Sequence, residues 1–566
     1  MKIRPADLLA CTLLVACVFV AHFWKLQEFG LYEDDYFFAA SGGEYRWDQV
    51  PAVVRGIFAN WTQGRPIGFA LAFVLSWFGT HAGGLPSLYL MGYAIVACNT
   101  LLLYALVRRQ FGATSSLYTG LLFALFPADT TRELLTHGLA LQPALTCLLA
   151  ACLLYQRGGR GWSVALAVPA LLIYETPYLP FLAAPLLRCD RRPTLKDWGV
   201  HVFAFATPLA LAGLVRRFFM ESRMGAALDA PLRVLQMSLS SMVIGPFVAL
   251  SACVSRLLTA LKALEGWWIL LVLAGAAALG WCLWSLSRRE LPTPPRRYVQ
   301  QALLGLGMLV PSYALTITAD HYPPVTLEGR MTSVHLAAAV GVAVLGGALL
   351  AVCSAWLGRA PIYPLFCFGS GLYFTLLLCF GLYVQGHYVQ AWKNQRAFWT
   401  QVVRLAPDLE PGTVVIVENV DNRGLSQGSF IYSHAWHSPL VLQLLYFFPG
   451  TRREGFHDFS VFLPEGGPPC VYTVGQQWEQ KIIQREGALL YMDPGMFKPF
   501  FRSDRALPLP EGNVILLQAR QDRLSRVQGM LSANGISLRL KPSGPPTPLR
   551  RKPLYGELVG DAAVVR

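Results

Sequence analysis

Three acids stand in a row in Leu31-Tyr32-Glu33-Asp34-Asp35-Tyr36-Phe37-Phe38, shortly after an apolar run from Ala6 to Trp24. The apolar run is long enough to cross a bilayer as a helix, and the basic residues at positions 2 and 4 favour a cytoplasmic N-terminus. An uncleaved anchor is favoured over a cleaved signal peptide because apolar residues continue through Trp24. We therefore expect the acids at the outer membrane surface, where carboxylates are costly unless they have a function.

The composition is that of a polytopic membrane protein with a smaller polar part. Of the 566 residues, 54% are hydrophobic and 14% are charged, which excludes a single soluble core. The formal net charge is +14, but the basic residues fall in short groups between apolar runs, as in cytoplasmic loops. We therefore predict a membrane environment and no nucleic-acid partner.

The apolar runs predict about eleven transmembrane helices. Ser41 to Trp61 and Ile67 to Phe78 are interpreted as interfacial helices instead. This choice places thirteen Lys and Arg residues in the inner loops and eight in the outer loops, and six of the eight lie in a predicted basic outer loop between Arg216 and Lys262. The positive-inside rule favours this assignment. The predicted crossings are residues 6–24, 85–107, 111–128, 139–156, a pair within 162–187, 198–215, 266–286, 301–319, 331–353 and 361–384.

The pair within 162–187 is the step on which the later topology depends. Its 26 residues are too few for two ordinary spans and too many for one, but four prolines allow two short or broken helices. Glu175 is then expected at their outer turn. A single crossing here would move every later loop to the opposite side.

The hydropathy falls from Gly386 onward, which predicts two domains. Residues 1–385 are predicted to form the transmembrane domain, with 25–84 as its first outer loop, and residues 386–566 an extracytoplasmic α/β domain. For that domain the pattern predicts helices at 389–405 and 522–533, strands at 414–417, 470–474 and 514–518, and an extended proline-rich arm at 541–553.

The order of acids, interfacial helix and the sequence Trp61-Thr62-Gln63-Gly64-Arg65-Pro66 resembles the GT-C superfamily of integral-membrane glycosyltransferases. The pair Asp34-Asp35 is similar to the acidic pair in the first outer loop of that family. The sequence from Trp61 to Pro66 resembles the element that follows the acids in polyprenyl-phosphate-sugar enzymes of the O-antigen glucosyltransferase and protein mannosyltransferase-like types. The resemblance covers the organisation of residues 1–385, and residues 386–566 resemble only loosely the outer domains of some members.

The resemblance implies that a sugar is transferred, with inversion, from a polyprenyl-phosphate donor to an acceptor glycan, lipid or protein of the cell envelope. Such a reaction needs a carboxylate to accept the proton of the attacking hydroxyl, and Asp34 is the candidate. Asp35 is a candidate to support Asp34 or to hold a divalent cation such as Mg²⁺ or Mn²⁺. The alternative is that one of the two acids only caps the helix starting near Tyr36.

The other candidate site residues are predicted to bind the substrate. Arg65 is the candidate for the phosphate, because a guanidinium binds two phosphate oxygens at once, and its alternative role is that of a snorkelling interfacial cation. Glu175 is a candidate acceptor for sugar hydroxyls. Arg330 is a candidate for a second positive charge, while His321 and His137 are candidate substrate ligands whose alternative is an ordinary loop position.

Two other classes of function fit the same features. A transporter or flippase would also combine many helices with intramembrane charges. That function predicts inverted repeats, which the sequence does not show, and ionisable residues at the membrane centre, whereas the acids here cluster at one surface. A non-enzymatic envelope assembly protein would use the acids only structurally. A lipid-linked polysaccharide polymerase or ligase lies close to the glycosyltransferase interpretation. For each, the expected location is the inner (plasma) membrane of a bacterium.

Overall fold

The structure is a computed structural model in which the chain divides into two compact units. One unit contains Met1–Gln27 and Ile57–Gly386, and the other contains Glu28–Gly56 and His387–Arg566. By these contacts the acidic stretch groups with the C-terminal part of the chain. The structure describes residues 5–43, 45–61, 64–188, 193–219, 230–288, 294–315, 324–358, 360–418, 438–448, 469–473, 482–485, 488–491, 507–520, 523–533 and 536–560.

Helices make up nearly all of the described part of the first unit. The π-helix Phe19–Phe23 continues the first α-helix, and the π-helix His137–Leu141 directly precedes the α-helix that begins at Gln142. 3₁₀-helices cover Thr176–Leu187 and Arg330–His335.

Across both units, the α-helices in chain order are α1 (Pro5–Val18), α2 (Asp35–Gly42), α3 (Val50–Ala59), α4 (Pro66–Phe111), α5 (Ala113–Ala124), α6 (Gln142–Gln156), α7 (Arg160–Ile173), α8 (Leu195–Phe218), α9 (Pro231–Lys262), α10 (Trp268–Ser287), α11 (Pro295–Leu309), α12 (Ala338–Leu357), α13 (Tyr363–Leu405), α14 (Ser438–Leu445) and α15 (Pro553–Leu558).

Within the described ranges, eight helices are long and apolar enough to cross a membrane. They are Pro5–Phe23, Pro66–Phe111, His137–Gln156, Leu195–Phe218, Pro231–Lys262, Trp268–Ser287, Ala338–Leu357 and Tyr363–Leu405. The remaining predicted crossings fall on the shorter helices α5, α7, α11 and Thr176–Leu187. The prediction of a polytopic helical membrane protein is therefore confirmed.

Helix α4 contains a sharp break that separates the predicted interfacial piece from the predicted crossing. Gly83 and Gly84 have non-helical backbone angles inside it, and Gly84 has a φ of 69°. Pro86 follows directly and has no N–H to continue the helical ladder. The break lies between the predicted Ile67–Phe78 and Leu85–Val107, so local backbone chemistry explains why the two pieces are distinct.

One region of the first unit was predicted wrongly. The sequence between Arg216 and Lys262 was interpreted as a basic outer loop, but Pro231–Lys262 is a 32-residue α-helix with an apolar centre. The error arose because the basic residues lie near its ends, at Arg233 and Arg256, and serines interrupt its apolar run.

The predicted pair of short helices within 162–187 is present in the structure. The helices are α7 and Thr176–Leu187, and Glu175 precedes the second.

The second unit contains a four-stranded sheet in the order β3-β1-β7-β8. The parallel strands β3 (Cys470–Thr473), β1 (Val414–Glu418) and β7 (Val514–Arg520) confirm the predicted strands, and β1 is buried between its neighbours. The remaining strands are β2 (Tyr446–Phe447), β4 (Ile482–Arg485), β5 (Ala488–Tyr491), β6 (Leu507–Pro508), β8 (Arg523–Val527), β9 (Met530–Ala533), β10 (Ile536–Arg539) and β11 (Arg550–Arg551). The α/β prediction is confirmed.

The helix predicted at 522–533 is wrong, because this segment forms strands β8 and β9. Gly529 lies between them with a φ of 94°, a conformation that a helix does not contain. Strand β8 pairs antiparallel with β7, and Arg526 lies on β8 opposite Leu517. Long-range pairing with a buried strand therefore overrides the local helical pattern.

A buried ion pair connects β8 to the loop that follows α13. Two guanidinium nitrogens of Arg526 donate to the two carboxylate oxygens of Asp408 at 2.5 and 2.9 Å, and both side chains are under 10% exposed. Arg526 also donates to the carbonyls of Leu405 and Lys541. Burial raises the pKa of the Asp408 carboxyl, but the hydrogen bonds and charge of Arg526 outweigh it and hold this pKa below its usual value.

We predict that Asp408→Asn lowers the free energy of unfolding of the second unit by about 3 kcal/mol at pH 7, because Arg526 keeps a buried charge without its counterion. A carboxyl with a depressed folded-state pKa stabilises above its unfolded pKa of about 3.9, so the loss should shrink as the pH falls below about 4. Thermal unfolding of the purified full-length protein across pH measures this. Glu410→Gln is the control: Glu410 pairs with Lys541 but is 62% exposed, and a loss below about 1 kcal/mol is expected. Equal losses for both variants would contradict the assignment.

Candidate functional site

The acidic segment is held against the C-terminal half of α13 by tyrosine hydroxyls. The Tyr32 hydroxyl donates to the carbonyl of Tyr388 at 2.9 Å, and the Tyr36 hydroxyl donates to the side-chain oxygen of Gln395 at 2.6 Å. The Gln395 amide returns a bond to the carbonyl of Leu31 at 3.2 Å. Because these groups are buried and hydrogen-bonded, the segment is fixed before α2 begins.

The three acids differ in environment. Glu33 is buried and has a φ of 48°, which is uncommon for a residue other than glycine. Asp35 is fully buried at the first position of α2, and its Oδ2 accepts the backbone N–H of Tyr32 at 3.2 Å. Asp34 is partly exposed. Burial, together with the charge of Asp35, raises the pKa of Tyr36 well above its usual value, so this tyrosine stays neutral.

These environments separate the candidate roles of the two aspartates. Asp35 accepts its hydrogen bond from Tyr32, a residue that precedes α2, so this bond is not to an N–H of the helix and the capping alternative stays a prediction. Asp34 is the more accessible of the two and remains the candidate base. The described residues include no group of three or more His, Cys, Asp or Glu side chains placed to hold a metal ion, so the cation predicted at Asp35 finds no ligand set there.

In the first unit, the structure brings together two predicted site residues, Arg65 and Glu175. The Arg65 guanidinium donates two bonds to the Glu175 carboxylate, at 2.9 and 2.7 Å. Arg216, which the sequence analysis did not select, donates to the same carboxylate at 3.3 Å. All three side chains are under 20% exposed. We call Arg65 and Arg216 the arginine pair.

The arginine pair is positioned by the ends of three helices. Arg65 precedes Pro66, the first residue of α4, and its guanidinium lies 4.4 Å from the ring centroid of Tyr174. Glu175 precedes the 3₁₀-helix, and Arg216 lies in the last turn of α8. With one carboxylate between two guanidinium groups the cluster carries a net charge of +1. The amino end of α4 adds partial positive charge, so the location favours a further anion.

Gly64 allows Arg216 to reach this cluster. The Arg216 guanidinium donates to the Gly64 carbonyl at 3.1 Å, and a Cβ at position 64 would overlap with the Arg216 side chain. Gly64 also has a φ of 68°, which glycine adopts at little cost. The Gly-Arg-Pro sequence therefore has a mechanical reason for each residue: close approach, charge and helix start.

A second polar cluster in the first unit was missed by the sequence analysis. His22 Nδ1 lies 2.8 Å from Glu133 Oε1, and Arg132 donates to the carbonyls of Phe123 and Ala124 at the end of α5, each at 2.6 Å. Burial raises the pKa of the Glu133 and Asp129 carboxyls, an effect that the charges of His22 and Arg132 partly offset. A histidine in the first apolar run and alternating charges at 129–133 were the available signal.

The other candidates lie in different places. His137 is buried at the start of the π-helix before α6, and Arg330 begins the 3₁₀-helix Arg330–His335. Two residues beyond Arg330, the side-chain Oγ1 of Thr332 accepts a hydrogen bond from the backbone N–H of Thr130 at 3.1 Å. His321 lies outside the described residues. The substrate roles of His137, Arg330 and His321 stay predictions.

No protein-family model and no curated protein sequence matches this chain. Two solved structures do: crystal structures of ArnT from Cupriavidus metallidurans, one bound to undecaprenyl phosphate and one in the apo state. They are 18% and 16% identical, with TM-scores of 0.32 and 0.30, and each comparison covers 73% of this chain and 83% of ArnT. At this similarity no residue of ArnT can be matched to a residue of this chain. The candidate roles therefore rest on the residues of this chain alone.

We predict that Gly64→Ala displaces Arg216 and lowers the thermal midpoint of the purified protein. The control is Gly266→Ala in the same unit: Gly266 also has a positive φ, of 55°, but open space around it. Gly266→Ala should cost only the backbone strain of about 1–2 kcal/mol, whereas Gly64→Ala adds the overlap with Arg216. If both variants shift the midpoint equally, the close approach of Gly64 to Arg216 is not required.

Proposed function

We propose that the protein is an inverting glycosyltransferase that moves a sugar from a polyprenyl-phosphate donor to an acceptor on the outer face of the membrane. The arginine pair carries this proposal. Two guanidinium groups that both bond to the Glu175 carboxylate, at the start of a helix among apolar helices, suit a phosphate attached to an apolar chain. The acidic pair Asp34-Asp35 supplies the second requirement, a carboxylate for proton transfer.

The arginine pair has its main effect on the leaving group. In the reaction the bond between the sugar anomeric carbon and the phosphate oxygen breaks, and the electron pair stays on the lipid phosphate. Negative charge therefore grows on that phosphate in the transition state, where Arg65 and Arg216 stabilise it. Phosphate entry displaces Glu175 from part of its contacts, which frees the carboxylate to accept a hydrogen bond from a sugar hydroxyl.

The acceptor hydroxyl attacks the anomeric carbon from the face opposite to the phosphate, which inverts the configuration. Its proton passes to the Asp34 carboxylate as the new bond forms. Asp35 is proposed to position Asp34 by fixing the start of α2, through the bond that its Oδ2 accepts from Tyr32.

We further propose that the N-terminus is cytoplasmic and that residues 386–566 lie outside. This orientation needs an odd number of crossings, so α9 must begin and end on the outer side. Two observations support it. Arg216, shortly before α9, belongs to the proposed outer site, and Arg256, near the end of α9, donates to the carbonyl of Leu327 in a predicted outer loop.

A reporter fused after residue 566 tests the orientation in a bacterial host. Alkaline phosphatase, which is active only outside the cytoplasm, is expected to be active there, and a cytoplasm-dependent fluorescent protein is expected to be dark. The opposite pair of results would place the C-terminal part inside and overturn the outer-face assignment.

The lipid site is tested by binding of undecaprenyl phosphate, the lipid present in one ArnT structure, to the purified protein in nanodiscs. Arg65→Ala is expected to weaken binding about 100-fold, because a charge-assisted bidentate contact is lost. Arg55→Ala is the control, since Arg55 is exposed on α3. If the lipid does not bind, or binds equally well to both variants, the proposed lipid site is wrong.

The chemical role is tested with an undecaprenyl-phosphate-linked hexose and an envelope glycan and lipid extract, by following release of undecaprenyl phosphate. Asp34→Asn should lower the rate about 10²–10⁴-fold while expression and lipid binding persist, because only the proton acceptor is lost. Asp48→Asn is the control, since Asp48 is 67% exposed. Full activity of Asp34→Asn would exclude it as the base and favour a non-enzymatic or transport role.

A further inference from the structure

Trp61 precedes Arg65 by four residues and is held at two points, by Gly64 and by Phe219. The backbone N–H of Gly64 donates to the Trp61 carbonyl at 2.9 Å, and the Gly64 carbonyl accepts from Arg216. The Trp61 ring stacks on Phe219, with centroids 6.0 Å apart and an interplanar angle of 13°. Phe219 follows Arg216 by three residues at the end of α8. The same two segments therefore bring both the indole and the guanidinium to one place.

Two features of Trp61 are unfavourable for the folded protein alone. Its φ is 45°, in the left-handed region that residues with a Cβ rarely adopt. Its indole Nε1 is buried and meets no hydrogen-bond acceptor among the residues that the structure describes. A buried N–H without an acceptor costs free energy, and backbone strain concentrates where it has a functional use. Together they indicate that the indole N–H is held in place for an acceptor that is not part of the described chain.

We propose that the Trp61 indole N–H donates to an oxygen of the lipid phosphate held by Arg65 and Arg216, an inference that rests on the proposed function. An indole N–H only donates, and the guanidinium groups of Arg65 and Arg216 only donate as well, so these groups cannot satisfy one another, whereas a phosphate can accept from all of them. A phosphate has enough oxygens for all three donors. The two arginines supply charge, which tolerates several orientations, whereas the neutral N–H adds direction and fixes how the phosphate ester, and hence the sugar, is turned.

The test removes the N–H and keeps the ring. Trp61→Phe preserves an aromatic ring against Phe219, and its affinity for undecaprenyl phosphate in nanodiscs should be about tenfold to 100-fold weaker, as expected for one lost hydrogen bond to a charged group. Trp284→Phe is the matched control. Trp284 has a buried indole N–H that also meets no acceptor in the described part of the chain, and the Arg288 guanidinium lies 4.3 Å from its ring centroid. Its affinity should equal that of the unsubstituted protein.

A second variant separates the hydrogen bond from the packing. Trp61→His keeps a ring N–H in a smaller ring, so under the proposal it should bind the lipid more tightly than Trp61→Phe. If Trp61 only packs against Phe219, Trp61→Phe should bind the lipid more tightly than Trp61→His. With the lipid-linked hexose, Trp61→Phe should raise KM more than it lowers kcat. If Trp61→Phe also lowers the thermal midpoint, the relative lipid affinities of Trp61→His and Trp61→Phe still show whether the hydrogen bond or the packing of the ring matters.

The outcomes are distinguishable from failure of the proposed function. If the unsubstituted protein and Trp284→Phe bind undecaprenyl phosphate and Trp61→Phe binds it equally well, the role of the indole is overturned and the lipid site stands. If Trp61→His binds no better than Trp61→Phe, the hydrogen bond is also overturned. If no form binds the lipid, both proposals are wrong.

Discussion

Two guanidinium groups do not stay together in a largely buried place unless negative charge lies between them. At an effective dielectric constant near 20, two unit charges 4 Å apart repel by about 4 kcal/mol. Here Glu175 supplies the negative charge for Arg65 and Arg216, and three separate helix ends converge to make this possible. The cluster remains one positive charge in excess, so the same constraint that stabilises it also prepares it for a phosphate.

This constraint explains the local sequence around the site. Gly64 is needed because Arg216 passes where a side chain would be, and Pro66 starts α4 directly after Arg65. Trp61, whose carbonyl accepts from the N–H of Gly64, has a strained backbone with a φ of 45°. In the second unit the corresponding device is hydrogen bonding, since buried tyrosine hydroxyls fix the acidic segment on α13 and leave Asp34 the most accessible of its carboxyls.

Much of the fold follows from the sequence because bilayer length and charge asymmetry are strong signals. The apolar runs, the break before Leu85 and the paired short helices around Glu175 were predictable on these grounds. The strands β1, β3 and β7 were predictable from their residue pattern, but not their parallel pairing. Helix α9 was missed because arginines near its ends are typical of a loop sequence. Strands β8 and β9 were missed because their residues follow a helical pattern, and a local pattern does not reveal pairing with a strand that is distant in the sequence. For the site, residue type and position suggested Arg65 and Glu175. Arg216 and the His22–Glu133 contact depend on approaches between distant segments, which no local pattern reveals.

The most direct measurement is a structure of the protein with undecaprenyl phosphate bound. The account predicts a phosphate between Arg65 and Arg216, with oxygens within about 3 Å of both guanidinium groups. It also predicts that one phosphate oxygen accepts from the Trp61 indole and that Glu175 has moved away from at least one arginine. A lipid phosphate bound elsewhere, with both arginines still on Glu175, would contradict the central claim.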